Sequence, residues 1–303
     1  MPTDTRAPDA IGRRARLELR FEARRGRTLL AHSYAEPPLR IGRVHDLGGA
    51  AYVILVCSGP GIFGGDVLTC TVHVARGARV VLASQSALQA HPCSPSAFQP
   101  SSIPPAGQPS VPALLRSCPP ALSRHEYVVE DDAELHCEWD PLIPFSGAGI
   151  DQRFDLHVAH GSRLFWSDAL MAGRVSRGEA WRFEGLSHEL ALRTGGRLSY
   201  LERYTIVPTE GRVDQTWVAG GAHYVATTLV HHADATAELA GAWQLEVATA
   251  DNAVQVGVDA VAPDLIVARF LAGDGAPFAR ARASYRAAAL RDIFRSPELA
   301  TRK

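Results

Sequence analysis

The sequence predicts a mainly β fold, a large antiparallel multi-stranded β assembly with one or two helices near the C-terminus. Three observations carry the prediction. Apolar and polar residues alternate with period two in one segment after another. Short turns of one kind, built on Gly or Asp, recur between those segments. Helical spacing is concentrated towards the C-terminal end.

The strands follow in order. In Thr69–Ala75, Cys70, Val72 and Val74 share one face, and Thr69, Thr71 and His73 share the other. Leu135, Cys137 and Trp139 alternate with Glu134, His136 and Glu138, and Phe154, Leu156 and Val158 with Asp155 and His157. Leu198, Tyr200, Tyr204 and Ile206 fall on one face of Leu198–Val207. Each pattern is that of a half-buried strand, whose successive side chains point to opposite faces. The turns repeat as well. Ala75-Arg76-Gly77-Ala78, Ala159-His160-Gly161-Ser162 and Arg193-Thr194-Gly195-Gly196 share a glycine, and Glu130-Asp131-Asp132-Ala133 has Asp in its place. Both residues tolerate the positive φ of a tight reversal. Four such units predict antiparallel hairpins rather than βαβ crossovers. Their spacing is too irregular to predict a solenoid.

At the C-terminal end, Asp274 can cap a helix and Pro277 suits its first turn. Phe278, Ala281, Tyr285, Ala288 and Ala289 recur at helical spacing, so the helix is expected to run to about Phe294, before Ser296-Pro297. From Pro92 to Ser123, 9 of 32 residues are proline and 7 are serine, with Arg116 the one charge. That composition reads as a disordered loop (92–123) inserted between two strands of a single β domain spanning 1–303.

Composition removes several functions. The 303 residues carry 31 Lys+Arg against 32 Asp+Glu, a formal net charge of −1, and 46% are hydrophobic. Coating nucleic acid or an anionic membrane needs an excess of cations. A disordered chain would be less apolar. Every cation except Lys303 is an arginine. The polar start, Met1 to Arg27, has no apolar core of the kind a secretory signal needs. The uncharged stretch Leu47–Gly65 holds six glycines and a proline, which suits no lipid-exposed helix. The five cysteines include no C-x-x-C pair, which fits a reducing cytoplasm.

Motifs of catalysis are sparse. Gly59-Pro60-Gly61-Ile62-Phe63-Gly64 matches the G-x-G-x-x-G dinucleotide fingerprint. The fingerprint needs a helix N-terminus for the pyrophosphate and an acid about 20 residues on. Here a strand pattern follows, and the next acid after Asp66 is Glu126. A dinucleotide-binding oxidoreductase is therefore the minor alternative, and glycines that turn the backbone sharply between two strands are the favoured reading. No G-x-S-x-G elbow is present, and the twelve histidines show no zinc spacing.

Several further blocks stand in order along the chain. They are the Gly-rich turn Pro60-Gly61-Ile62-Phe63-Gly64-Gly65-Asp66 and the polar stretch Ala83-Ser84-Gln85-Ser86-Ala87. Next come Glu138-Trp139-Asp140-Pro141-Leu142-Ile143-Pro144-Phe145, and then Gly173-Arg174 followed by Gly178-Glu179-Ala180-Trp181-Arg182-Phe183. Together with the Arg- and Ala-rich C-terminal helix, and over roughly 15–295, these blocks resemble the urease accessory proteins of the UreD (UreH) type. One departure is Leu88-Gln89-Ala90-His91, where the family usually has Thr-Lys and an aromatic.

The resemblance implies stacked or helicoidal β sheets and a non-enzymatic role. The implied role is a nickel-delivery scaffold or chaperone for maturation of the urease nickel centre, in the cytoplasm. The implied partners are UreF-type and UreG-type accessory proteins and apo-urease, with no nucleic acid and no membrane. No permanently bound cofactor is implied, only transient Ni2+ passing through an interior channel. Ni2+ accepts imidazole and carboxylate ligands, and a conduit must also release it. Asp66, Glu138, Asp140 and Glu179, the acids of the family blocks, are therefore expected to line or approach the passage; each could equally cap a turn. Phe278, Tyr285 and Arg286 on the C-terminal helix are the expected partner surface. A nickel-independent β-rich binding module is the remaining alternative.

Overall fold

The computed structural model describes residues 12–93, 119–216, 218–250 and 252–300. The period-two segments form strands of two stacked sheets. Sheet one contains β1 (Arg14–Arg24), β2 (Arg27–Ala35), β7 (Val67–Val74), β10 (Ala121–Val129), β13 (Gly149–Val158), β15 (Gly185–Thr194) and β16 (Arg197–Ile206). Their order is β16-β15-β13-β10-β7-β1-β2. Sheet two contains β3 (Leu39–Ile41), β4 (His45–Leu47), β5 (Ala50–Cys57), β8 (Arg79–Ser84), β11 (Glu134–Glu138), β14 (Arg163–Met171), β17 (Tyr224–His231), β18 (Val254–Ala262) and β19 (Leu265–Ala272). Its order is β18-β19-β17-β14-β11-β8-β5-β3, with β4 on β5. A small third sheet joins β6 (Ile62–Phe63), β9 (Gln89–His91) and β12 (Ile143–Pro144).

The fold is mainly β, but the expected antiparallel pairing is corrected in the middle of both sheets. β1, β7, β10, β13 and β15 pair in parallel, and so do β5, β8, β11 and β14. The reason lies in the repeated turns. Three of the four carry the chain from a strand of sheet one into sheet two instead of folding it back beside itself. Like strands then stack in register: Val129 lies beside both Val74 and Val158, and Glu134 beside both Arg79 and Arg163. The turns stack too, Ala75 N donating to Phe21 O (3.0 Å), Glu130 N to Val74 O (3.0 Å) and Ala159 N to Val129 O (2.9 Å). Asp132 adopts φ 58°, close to the 71° of Gly77, as the Asp-for-Gly reading expects. Of the four turns, only Thr194–Arg197 closes a hairpin, between β15 and β16.

The inward faces make the first core. Val72, Tyr127, Phe154 and Leu156 of sheet one meet Val80, Leu135, Cys137 and Trp166 of sheet two. Trp166 takes Tyr127 and Phe154 edge-on at 5.0 and 4.9 Å. Such aromatic pairs add to the area they bury. Leu198 departs from its expected face. A register shift beside Leu192 and Arg193 turns it outward, to 55% exposure, while Tyr200, Tyr204 and Ile206 still pack inward.

A second core lies between sheet two and the helices α1 (Ala237–Ala250) and α2 (Gly275–Ala289). Asp274 caps α2, accepting from Ala276 N at 3.3 Å, and the helix widens into a π turn over Leu290–Phe294. Phe278, Tyr285 and Arg286 are 2%, 0% and 5% exposed. The expected partner surface is thus corrected: Phe278 and Tyr285 lie in the apolar stripe that docks the helix on sheet two, and Arg286 is buried against Glu138 of β11.

The insert read as 92–123 ends earlier than expected, since β10 starts at Ala121. Residues 94–118 lie outside the described residues, as do residues 1–11. Cys93 is disulfide-bonded, which departs from the all-thiol expectation, whereas Cys57, Cys70 and Cys137 are free. No described helix is long and apolar enough to cross a membrane. The dinucleotide reading of Gly59–Gly64 meets β6 and then β7, so no helix N-terminus follows the glycines.

Candidate functional site

The sequence blocks converge on the third sheet. Gly61, at φ 122°, brings its α-carbon so close to β9 that a Cβ would lie 2.1 Å from Gln89 O. Gly64 N donates to His91 O (3.2 Å) and Gly65 N to Pro120 O (3.4 Å), which ties the turn to its neighbours. Asp66 is buried and locks the same turn. Its carboxylate accepts from Arg13 N (2.7 Å) and Phe63 N (2.9 Å).

An aromatic column runs along this sheet. Phe63 stacks on His91 (4.8 Å), His91 meets Phe145 edge-on (4.4 Å), and the Arg174 guanidinium lies over Phe145 (4.1 Å). Arg174 holds Glu179 bidentately at 2.7 and 2.5 Å, and that hydrogen bonding keeps the Glu179 carboxyl below the usual range. Gly173 has no room for a side chain, since a Cβ would lie 2.6 Å from Glu179 O. Gly178 (φ 72°) ends the short turn Val175–Arg177, and Trp181 packs 6.0 Å from Phe183. Asp66 and Glu179 are thus occupied by local bonds.

The third block crosses to the core. Glu138 pairs with the buried Arg286 on α2, on the helix side of sheet two. Trp139 turns the other way, into the space between the sheets, and Pro141 precedes the residue where the chain pairs with β14 (Leu142 N to Ala169 O, 2.8 Å). Arg282 holds Trp139 O (3.1 Å) and Ser167 Oγ (2.8 Å). Asp140 N donates to Ser84 Oγ (2.8 Å), which donates in turn to the Asp140 carboxylate (2.9 Å).

Two cavities open between the sheets at this point. The first, about 110 Å³, is mostly apolar and includes Leu17, Leu55, Cys57 and Cys70. The second, about 80 Å³, includes Asp140, Gln152 and Asp168. They share Ser84, Ser86, Leu88, His125 and Trp139, so they meet at those side chains. Each has room for several waters.

Of the four expected acids, the structure brings only Asp140 to these cavities. Asp66 locks a turn, which was the equal alternative, whereas Glu138 and Glu179 are held in ion pairs with Arg286 and Arg174, a role not expected for them. The sequence reading missed Asp168, an acid inside the apolar strand β14, and that interruption was the available signal. Asp168 accepts from Trp166 Nε1 (2.9 Å) and lies 3.8 Å from His188 Nε2. Burial pushes its carboxyl up despite the neighbouring His188. Burial also pushes His125 down to about 4, so the imidazole at the junction is neutral. Trp139 Nε1 and His188 Nε2 are buried without a hydrogen-bond partner among the described residues. Among the described residues, no three His, Cys, Asp or Glu side chains are placed to hold a metal ion together.

The sequence model of the UreD urease accessory protein family matches residues 13–302. The chain is 28% identical over 198 residues to a urease accessory protein UreD of Sorangium cellulosum, covering 65% of this chain and 56% of that protein. It is 28% identical over 196 residues to UreD 1 of a Synechococcus species, covering 65% of each. It is 31% identical over 181 residues to UreD of Lysinibacillus sphaericus, covering 58% of this chain and 59% of the relative. The matched part therefore spans less than two thirds of each of these relatives. The family is described as accessory to urease, not as an enzyme. With the match running from residue 13 to 302, the chain belongs to the UreD urease accessory protein family.

Proposed function

We propose that the chain is a nickel-delivery scaffold for maturation of the urease metallocentre, working in the cytoplasm with UreF- and UreG-type proteins on apo-urease. The observation that carries this reading is the pair of cavities meeting at His125 and Trp139, the second of them edged by Asp140 and Asp168. Carboxylate and water suit Ni2+ without trapping it, whereas a closed His/Cys cage would hold it. Asp140 and Asp168 are each steadied by a neighbour, Ser84 and Trp166, so they can meet a hydrated cation without rearranging. Buried polar atoms without partners, Trp139 Nε1 and His188 Nε2, favour a wet interior. No resident cofactor enters the reading; nickel is cargo.

The test is to co-express urease with Asp140→Asn and Asp168→Asn variants of the chain. The reading expects less nickel in urease and lower activity, with accessory complexes of normal yield. Wild-type nickel loading in both variants would overturn it.

A further inference from the structure

The outer face of sheet one carries its charges in rows. In-register parallel stacking turns a sequence position into a row across the sheet. Arg16, Thr69, Arg124 and Arg153 lie side by side on β1, β7, β10 and β13. Two residues further along the same strands, Glu18, Thr71, Glu126 and Asp155 form a second row. The rows are about 6.6 Å apart, two residues of strand rise. Beyond them, His157 stands beside Arg193 of β15. Arg16, Thr71, Glu126 and Arg153 are exposed, and a groove of about 470 Å³ runs among Thr71, Arg124, Glu126, Arg153, Asp155 and Arg193.

Like charges stand next to each other here: Arg124 beside Arg153, and Glu126 beside Asp155. Directly neighbouring like charges on paired strands destabilise a sheet. Most are offset locally: Arg124 and Arg153 both by Asp151 (2.6 and 3.6 Å), Asp155 by Arg193 (2.9 Å) and Arg16 by Glu18 (3.2 Å). Glu126, at the centre, has no ion-pair partner among the described residues. Basic and acidic rows alternate, so the face suits neither a polyanion nor an anionic membrane, which need a field of one sign. A parallel sheet is normally covered on both faces. Sheet two has its helices; among the described residues, no α-helix covers the outer face of sheet one.

We infer that the outer face of sheet one docks a folded protein partner that sets a row of cationic side chains against Glu126 and Asp155 and carboxylates against Arg124 and Arg153. The match is electrostatic and directional, of the kind that fixes register and speeds encounter. The choice of probe rests on the assembly reading above; the surface assignment does not.

The experiment uses the full chain with purified UreF-type protein, and the resulting complex with apo-urease. Binding is measured at low and high salt for the wild type, Glu126→Gln, Glu126→Arg and Arg153→Glu. All three replacements are at exposed positions and circular dichroism checks the fold. The expected result is at least a tenfold loss of affinity for one of the two probes in the charge reversals, a smaller loss in Glu126→Gln, and a difference that shrinks at high salt. Carbodiimide coupling adds a direct readout. The chain has one lysine, Lys303, so amide links from Glu126 or Asp155 report the partner's lysines with little internal background. Wild-type affinity of both charge reversals for both probes would overturn the inference and leave the assembly reading standing. Failure of the wild-type chain to bind either probe would overturn both. A change confined to self-association would overturn the inference by identifying the occupant as a second copy.

Discussion

Gln244 pairs with the backbone of Val258 as a neighbouring strand would. Its Oε1 accepts from Val258 N at 2.7 Å, and its Nε2 donates to Val256 O at 3.0 Å. β18 is the last strand of sheet two, so these groups would otherwise lie open on the sheet's edge. One side chain of α1 thereby fixes the helix on the strand and blunts an edge that could template aggregation.

Gln244→Leu should remove both bonds while keeping the packing. With each bond contributing roughly 1 kcal/mol net, the expected loss of stability is about 2 kcal/mol. Urea unfolding gives the loss directly. Light scattering on mild heating should show earlier aggregation in the variant than in a control of equal stability. Wild-type behaviour in both assays would refute the role.

Gly61→Ala tests the convergence of the family blocks. Residue 61 combines φ 122° with a Cβ that would sit 2.1 Å from Gln89 O, and the obstacle is backbone, which cannot swing away. Strain of this kind costs about 1–3 kcal/mol, and opening β6 from β9 adds to it. Gly196 is the control. It also has positive φ (84°) but open space around it, so Ala there should cost only about 1 kcal/mol. Thermal unfolding of the two variants should separate them clearly.

Much of this was legible in the sequence because it is local. Period two placed β7, β11 and β13, and Asp274 placed the start of α2. The sheet pairing was not legible, because Ala75–Ala78 and Thr194–Arg197 have the same turn chemistry. One hands the chain across to the facing sheet and the other returns it beside itself. That choice is made by the contacts of distant strands, which no turn motif encodes. The site was half legible for a related reason. Family blocks located Trp139 and Asp140, but an acid's neighbours decide whether it is free. Glu179 spends its oxygens on Arg174, while Asp168, outside every block, faces a cavity.

Glu138 belongs with the occupied acids, and its partner makes that testable. Arg286 is buried, holds Glu138 on one side and donates to Leu299 O (2.8 Å) on the other. Glu138→Ala leaves that guanidinium without its counter-charge. The cost of breaking a buried pair this way is about 3–5 kcal/mol, lowered to about 2–4 because Glu138 keeps 23% of its side-chain exposure. The double variant Glu138→Leu/Arg286→Met should recover most of the stability. A structural role further requires that urease activation in cells falls only in step with the amount of folded chain. A loss of activation at unchanged folded level would instead place Glu138 in the nickel path.

His125 ties the cavity junction to acid stability. Its Nε2 faces Ser123 Oγ (2.9 Å) and its Nδ1 faces Tyr127 OH (3.1 Å), and burial holds its pKa at about 4 against an ordinary 6.5. The folded state therefore resists a proton that the unfolded chain accepts. Above pH 6.5 neither state is protonated and the residue has no pH effect. As pH falls from 6.5 to about 4, the unfolded state gains protons first and stability is lost, reaching roughly 3 kcal/mol for this group. Below about 4 both states are protonated and the loss levels off. Urea unfolding between pH 7.5 and 4.5, run for the wild type and His125→Gln, isolates the contribution. The variant should be less stable at neutral pH, through poorer packing against Phe154 and Trp139, yet show a shallower fall with acid. Parallel pH profiles for the two proteins would mean that His125 titrates alike in both states.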